Sequence, residues 1–291
     1  MNSTKQYAAS VTGSTPLITI IIAVFNGTKT LQQCIDSVAN QTYPNKELII
    51  IDGGSTDGTI DLLKKNNHHI TYWISEPDRG IYNAWNKALA QAKGEWICFL
   101  GADDFFLNTR VLEQMAVHLA IIPANIRVAY SQVMLLNNDG ETLYPIGEPW
   151  GKIKERFKQL MCIPHQGVMH RRSMFEQNGK FDESFRIAGD YELLMRELKT
   201  GDAVFIPDLI TTGMRQGGIS SDPENTLVTM REIRRAQKMH GQQWPGWIWF
   251  AAMTRVYVRF FLWRILGENL TRKALDAYRR ILGLPAYWTK T

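Results

Sequence analysis

Cysteine is scarce: Cys34, Cys98 and Cys162 are the only three in 291 residues. They are far apart, odd in number and without the paired spacing of a zinc site, which argues against a disulfide framework and for a reducing compartment. Long apolar runs are missing too. The first fifteen residues, MNSTKQYAASVTGST, are polar and small, and the ITIIIAVF that follows is too short and too β-branched for a signal or spanning helix, so a cytoplasmic protein is expected. No internal repeat or low-complexity tract occurs. The glycine-rich IIIDGGSTDGT (49–59) has neither the spacing of a dinucleotide fingerprint nor the Lys-Ser/Thr pair of a P-loop. Charge of neither sign dominates, with 33 Lys and Arg against 28 Asp and Glu. The basic residues nevertheless gather among Trp, Phe and Tyr over 231–280, which points to an anionic partner for that part. No base-reading motif accompanies them, which argues against nucleic acid.

What is present is an ample core, 45% hydrophobic, and a regular alternation of short β-branched runs with helical patterns. LITIIIAVF (17–25), ELIIID (47–52), ITYWISE (70–76) and EWICFL (95–100) read as strands. Between them, Leu31, Cys34, Ile35 and Val38 recur at helical spacing, IDLLKK follows a turn, and Ile81, Trp85 and Leu89 line another helix. This pattern predicts an α/β domain around a mainly parallel sheet, whose ligands bind beyond the carboxyl ends of the strands. Downstream, RVAYSQVMLL and ETLYPI flank NNDG as an antiparallel hairpin, and 163–201 carries two helical patterns. AVFIPDLITTGMRQGG (203–218) reads as a strand running into a glycine-rich loop. The division expected is a flexible tail over 1–15, a catalytic domain over 16–221 and a helical extension over 222–291, helical throughout apart from WPG (244–246).

Several acids sit where apolar strands end: Asp52, the Asp103-Asp104 pair of FLGADD, and Glu76 with Asp78 just past a third strand. Burying an unpaired carboxylate is strongly unfavourable, so Asp103-Asp104 is either a wet turn or a cation site. Paired carboxylates are the hard oxygen ligands that Mg²⁺ or Mn²⁺ prefers, with water and a diphosphate completing the shell. In the DGGSTDGT turn, Asp52 reads as a cap, and Asp57 or Thr56 as the start of the next helix. Asp78-Arg79-Gly80 ahead of a helix N-terminus suits a phosphate-bearing ligand as well as a simple cap.

The order VFNG, IIIDGGSTDGT, SEPDRGIYNAWNKAL, GEWICFLGADD and FRIAGDYELLMR resembles the family 2 glycosyltransferases, inverting enzymes with a GT-A fold, over about residues 16–220. The resemblance implies a Rossmann-like, mainly parallel central sheet flanked by helices. It also implies transfer of a hexosyl or N-acetylhexosaminyl group from a nucleotide-diphosphate sugar. By position it assigns the donor nucleotide to Val24, Asn26, Asp52, Asp78, Arg79, Gly80 and Asp103, and the cation to Asp104 with Asp103. The base that deprotonates the acceptor hydroxyl becomes Asp190. Two positions depart from the family pattern: Gly101 stands where the Asp-x-Asp motif often has an acid, and Gly189 where the family has the Glu of Glu-Asp.

PHQGVMHRR (164–172) lies where such enzymes build the acceptor side, so His165 and Gln166 are expected to contact acceptor or diphosphate, and His170 to be a packing histidine. Arg215 either closes over the diphosphate or belongs to a plain surface loop. WPGWIWFAAMTRVYVRFFLWRILG (244–267) has arginines that interrupt its apolar run, so it is expected to lie on a membrane surface rather than cross it. The other fates of that segment are packing on the catalytic domain or on a second subunit as a homo-oligomer. The function expected is therefore transfer from a UDP-sugar, favoured by family frequency, to a hydroxyl of a saccharide or lipid-linked saccharide in bacterial cell-surface polysaccharide synthesis. Its place would be the cytoplasm or the inner face of the cytoplasmic membrane. The alternatives are a nucleotidyltransferase and a catalytically weak nucleotide-sugar binding subunit.

Overall fold

The computed structural model describes residues 15–137, 139–216 and 223–290. Most of the predicted N-terminal tail (1–14) and the predicted boundary at 221/222 fall outside them.

Strand β1 (Ile18–Val24) is flanked by β2 (Lys46–Asp52) and β4 (Trp96–Gly101), both parallel to it, and β3 (Tyr72–Ser75) adds outside β2. These runs look continuously apolar because both faces of the sheet are covered. Ile18, Ile20 and Ile22 pack on one side with Leu31, Cys34 and Ile35 of α1 (Leu31–Ala39) and with α4 (Val111–Leu119). Ile21 packs on the other side with α3 (Ile81–Leu89) and with α7 (Gly189–Leu198). Truncating any of these fully buried isoleucines to Ala removes contacts worth about 2–5 kcal/mol.

Beyond β4 the sheet becomes mixed. Its order runs β3-β2-β1-β4-β8-β6-β9-β5, with β7 beside β6. The expected hairpin is β6 (Val128–Leu136) with β7 (Thr142–Ile146), and the expected late strand is β9 (Ala203–Arg215), parallel to β6. Strand β5 (Phe105–Phe106) and strand β8 (Val168–Arg171) carry too few residues to stand out as periodic patterns. On α3 the buried face holds Tyr82, Ala84, Trp85 and Ala88, whereas Ile81 and Leu89 are only partly covered.

The C-terminal part is less continuously helical than its sequence suggests. Helix α8 (Pro223–Met239) ends before a turn over 240–246, and α9 (Trp247–Ile281) is broken at Gly267, where φ is 72°. After Leu282 the chain leaves the helix and folds back to a short 3₁₀ turn at Trp288–Lys290. Among the described residues, no helix is long and apolar enough to cross a membrane.

Candidate active site

The parallel register decides where the acids gather. Val24 pairs with Asp52, Asp52 with Ser75, and Ala23 with Gly101, so four strands end along one rim. Asp52 is fully buried there, and its carboxylate accepts hydrogen bonds from Ser55 N (3.0 Å), Gly54 N (3.2 Å), Ser75 Oγ (2.6 Å) and Ser55 Oγ. The predicted cap is thus confirmed in place. Asn26, in the left-handed region at φ 52°, ties the end of β1 to the same turn. Its N–H donates to Ser55 Oγ (2.7 Å) and its Oδ1 accepts from Thr56 N (2.9 Å). Asp57 starts α2 (Thr59–Lys65) by accepting from Thr59 N and Oγ1, and those bonds, with others from Thr28, hold its carboxyl well below the usual range.

Asp78 stands against this turn, its Oδ2 close over Gly53 and its Oδ1 accepting from Gly80 N at 2.8 Å. Arg79 points outward and pairs with Glu183 (2.7 Å), which also takes Asn83 Nδ2 (2.9 Å) and Asn86 Nδ2 (3.0 Å). Helix α3 is therefore tied to the loop that leads to Asp190.

Asp103 and Asp104 fold back over the end of β4. A Cβ built at Gly101 would lie 2.5 Å from Asp104 Oδ2 and 2.8 Å from Asp103 Oδ1. An acid at 101 would therefore displace the two carboxylates, and its absence lets them converge. Asp104 is buried, with its Oδ1 accepting from Arg215 N at 3.1 Å. Burial first and the Asp103 charge second push its pKa up to about 7. The Arg215 side chain wraps the same loop, donating from Nε to Asp103 O (3.1 Å) and from Nη2 to Gln33 Oε1 (2.8 Å). Among the described residues, no group of three or more His, Cys, Asp or Glu side chains surrounds a metal position. Two converging hard carboxylates, one of them buried and in no ion pair among the described residues, would fit Mg²⁺ or Mn²⁺.

Asp190 opens α7. Burial raises its pKa to about 6 against the hydrogen bond its Oδ1 accepts from Tyr191 N (2.8 Å). Its position is fixed from two sides. The Tyr82 hydroxyl donates to Ile187 O and accepts from Gly189 N (2.8 Å). From α8, Glu232 accepts the N–H groups of Arg186 (2.7 Å), Ile187 (2.8 Å) and Ala188 (2.8 Å). The missing Glu is explained by the same contact, since a Cβ at Gly189 would meet the Tyr82 ring at 2.8 Å.

The two histidines of PHQGVMHRR are both interior. His165 stacks on both Trp85 and Phe99, at 5.2 and 5.7 Å, and these two rings also touch each other at 4.7 Å; burial pushes its pKa down to about 3, so the ring is neutral. Its Nε2 has no partner among the described residues. His170 is fully buried with Nδ1 3.2 Å from Ile97 O, the packing role expected of it. Gln166, by contrast, reaches the acids. It lines a cavity of about 290 Å³ with Asp103, Asp104, Arg215 and Gln216, closed by Leu135, Tyr144, Ile146, Met214 and Tyr287. No sequence pattern marks Tyr82, Glu232, Gln216, Tyr144 or Tyr287, because each acts through contacts that local periodicity does not register.

The sequence model described as Glycosyl transferase family 2 matches residues 19–177, more than half of the chain. A PGL/p-HBAD biosynthesis glycosyltransferase of Mycobacterium bovis is 28% identical over 225 residues, covering 76% of this chain and 84% of that one. Among solved structures, S. aureus TarS 1–349 in complex with UDP-GlcNAc superposes with a TM-score of 0.60 at 20% identity, over 75% of this chain and 66% of that one. The protein thus spans a little under two thirds of the length of the TarS chain. The mannosyltransferase PcManGT from Pyrobaculum calidifontis, in complex with GDP-Man and Mn²⁺, gives 0.58 at 14% identity, over 92% of this chain and 81% of that one. These likenesses show a shared GT-A-like fold.

Proposed function

The chain belongs to glycosyl transferase family 2, and from that premise we propose that it is an inverting enzyme carrying a hexosyl or N-acetylhexosaminyl group from a nucleotide-diphosphate donor, UDP favoured, to an acceptor hydroxyl. The acceptor class is a saccharide or lipid-linked saccharide of the bacterial cell surface, carried over from the family resemblance. The observation that supports the reading is the shared rim: Asp52, Asp78 and the Asp103-Asp104 pair come from three separate segments that the parallel register ends at the same side of the sheet.

Each group then has a chemical task. Asp52 is held by its own turn and with Asp78 forms the nucleoside end. Asp103 and Asp104 would hold Mg²⁺ or Mn²⁺, which when bound neutralises charge developing on the leaving diphosphate. Asp190 takes the acceptor proton as the hydroxyl attacks. With its pKa near 6 the carboxylate is ionised at neutral pH yet basic enough to accept, a contribution of about 10²–10⁴-fold. Attack from the side opposite the leaving diphosphate inverts the anomeric carbon.

A thermal-shift panel of UDP, GDP, dTDP and CDP, each with and without Mn²⁺, tests this on the wild type and on Asp104→Ala. A ligand at a hundred times its Kd stabilises by about 2.7 kcal/mol. One nucleotide stabilising the wild type only with metal, and not the variant, is the expected result; no response to any nucleotide refutes the donor site.

The membrane contact proposed for 244–267 is supported by an outward apolar stripe of Trp247, Phe250, Tyr257, Phe261 and Ile265, flanked by exposed Arg255 and Arg264. Arg259 does not join it: Nη2 donates to Thr226 Oγ1 (2.9 Å) and the guanidinium lies 5.1 Å from the Trp288 ring centre. Sedimentation with anionic vesicles, lost when Trp247 and Phe261 become Ser, is the expected outcome; equal recovery of variant and wild type with vesicles rejects it.

A further inference from the structure

The C-terminal tail does more than extend the domain. Tyr287, only four residues from the end of the chain, lines the cavity that contains Asp103 and Asp104. It is held there by a buried carboxylate: Asp276 Oδ1 accepts from Tyr287 N (2.8 Å) and Trp288 N (2.9 Å), and Oδ2 from Thr289 N (2.8 Å) and Thr289 Oγ1 (2.6 Å). Three successive N–H groups on one carboxylate fix the backbone of the tail. Arg279 then joins the tail to the hairpin. Its Nε donates to Pro285 O (2.8 Å) and its Nη2 to the Tyr144 hydroxyl (3.1 Å), while its guanidinium lies 5.4 Å from the Tyr287 ring centre and 5.9 Å from that of Tyr144.

The polar part of the lining has an unmet need. Gln216, 6% exposed and on the cavity lining, has neither Oε1 nor Nε2 hydrogen-bonded among the described residues. An orphaned buried amide costs about 1–3 kcal/mol, so a ligand offering both donor and acceptor groups would relieve it. A lining that combines two aromatic rings with an unpartnered amide matches a sugar ring, which has an apolar C–H face and a belt of hydroxyls. The volume, about 290 Å³, is at the small end of small-molecule sites and suits one ring rather than a polymer.

We propose that the tail completes a saccharide subsite beside the strand-end acids, in which Tyr287 stacks on the face of a single pyranose ring and the Gln216 amide hydrogen-bonds its hydroxyls. The proposal rests on the nucleotide-sugar reading above. Tyr287 is a specificity-determining residue of this chain, and Asp276 a positioning residue that acts through it.

The ring could belong to donor or acceptor, and two arms separate them on the full-length protein. In the first, UDP, UDP-GlcNAc, UDP-glucose, GDP and GDP-mannose are titrated with Mn²⁺ into wild type, Tyr287→Ala, Tyr287→Phe and Asp276→Ala. In the second, saturation-transfer NMR follows methyl glucoside, galactoside, mannoside and rhamnoside added to the nucleotide complex formed with diamagnetic Mg²⁺. A donor ring predicts that Tyr287→Ala and Asp276→Ala weaken the nucleotide sugar roughly tenfold, a 1.4 kcal/mol effect. Binding of the bare diphosphate stays unchanged, and Tyr287→Phe keeps wild-type affinity. An acceptor ring predicts unchanged donor affinities but loss of the glycoside signal in both Ala variants. Folded Ala variants that match the wild type in both arms overturn the subsite. Failure of the wild type to bind any nucleotide would instead overturn the donor reading, and the subsite with it.

Discussion

The two ends of the chain contribute to the site in opposite ways. Up to residue 104 each site acid lies at or just past the end of a strand, and a local turn fixes it, as Ser55 and Gly54 fix Asp52. In the last hundred, Glu232 acts on the distant loop before Asp190, Asp276 on the tail just past its own helix, and Tyr287 on the cavity wall. The first arrangement places reactive groups by register. The second holds loops still around them. Substitutions in the first region should therefore change chemistry or metal uptake, and those in the second should change how well ligand and loop are held.

The sharpest break in that comparison is Asp190, a base whose loop both regions support. Asp190→Asn should lower transfer by about 10²–10⁴-fold while leaving nucleotide binding intact, as rate and titration measurements on the same preparation would check. Next comes Gly189→Ala, whose Cβ meets the Tyr82 ring. Overpacking of this kind costs about 1–3 kcal/mol, visible in denaturant melts, and should reduce turnover along with stability. Tyr82→Phe is milder: it deletes the hydroxyl that accepts from Gly189 N, a loss of about 1 kcal/mol with a disproportionate fall in kcat as the Asp190 loop loosens.

A smaller effect separates the regions by pH. Asp104 has its folded pKa raised from 3.8 to about 7, so protonation favours the folded state. Its stabilising contribution is complete below about pH 4 and is lost as pH rises through 7, and Mn²⁺ should restore the loss at high pH. Asp276 has the opposite sign. Burial raises it, but the bonds from Thr289, Tyr287 and Trp288 outweigh this and hold it at about 2, so its contribution is full above about pH 4 and is lost as pH falls through 2. Melting curves from pH 4 to 8, with and without Mn²⁺, should thus show a metal-dependent slope that Asp104→Asn abolishes and Asp276→Asn leaves in place.

The strands, the hairpin and the strand-end acids were legible because their signals are local: β-branched runs, turn residues, and an acid at the end of an apolar stretch. The positions of Gly101 and Gly189 were legible as departures, but not their cause, which is the close approach of side chains from elsewhere. His165 shows the limit from the other side. Its neighbours Gln166 and Gly167 suggest a polar contact, whereas the Trp85 and Phe99 rings it stacks on are remote in sequence. Helix breaks in the tail were hidden because the residues around Gly267 continue a helical pattern on both sides.

The most direct measurement is calorimetric titration of UDP with Mn²⁺, and of the other nucleoside diphosphates beside it, into wild type, Asp104→Asn and Asp190→Asn. Metal-dependent binding of one nucleotide to the wild type and to Asp190→Asn, and none to Asp104→Asn, is the expected result. Wild-type affinity in Asp104→Asn, or binding indifferent to metal, would contradict the assignment of the strand-end pair as the donor's cation site.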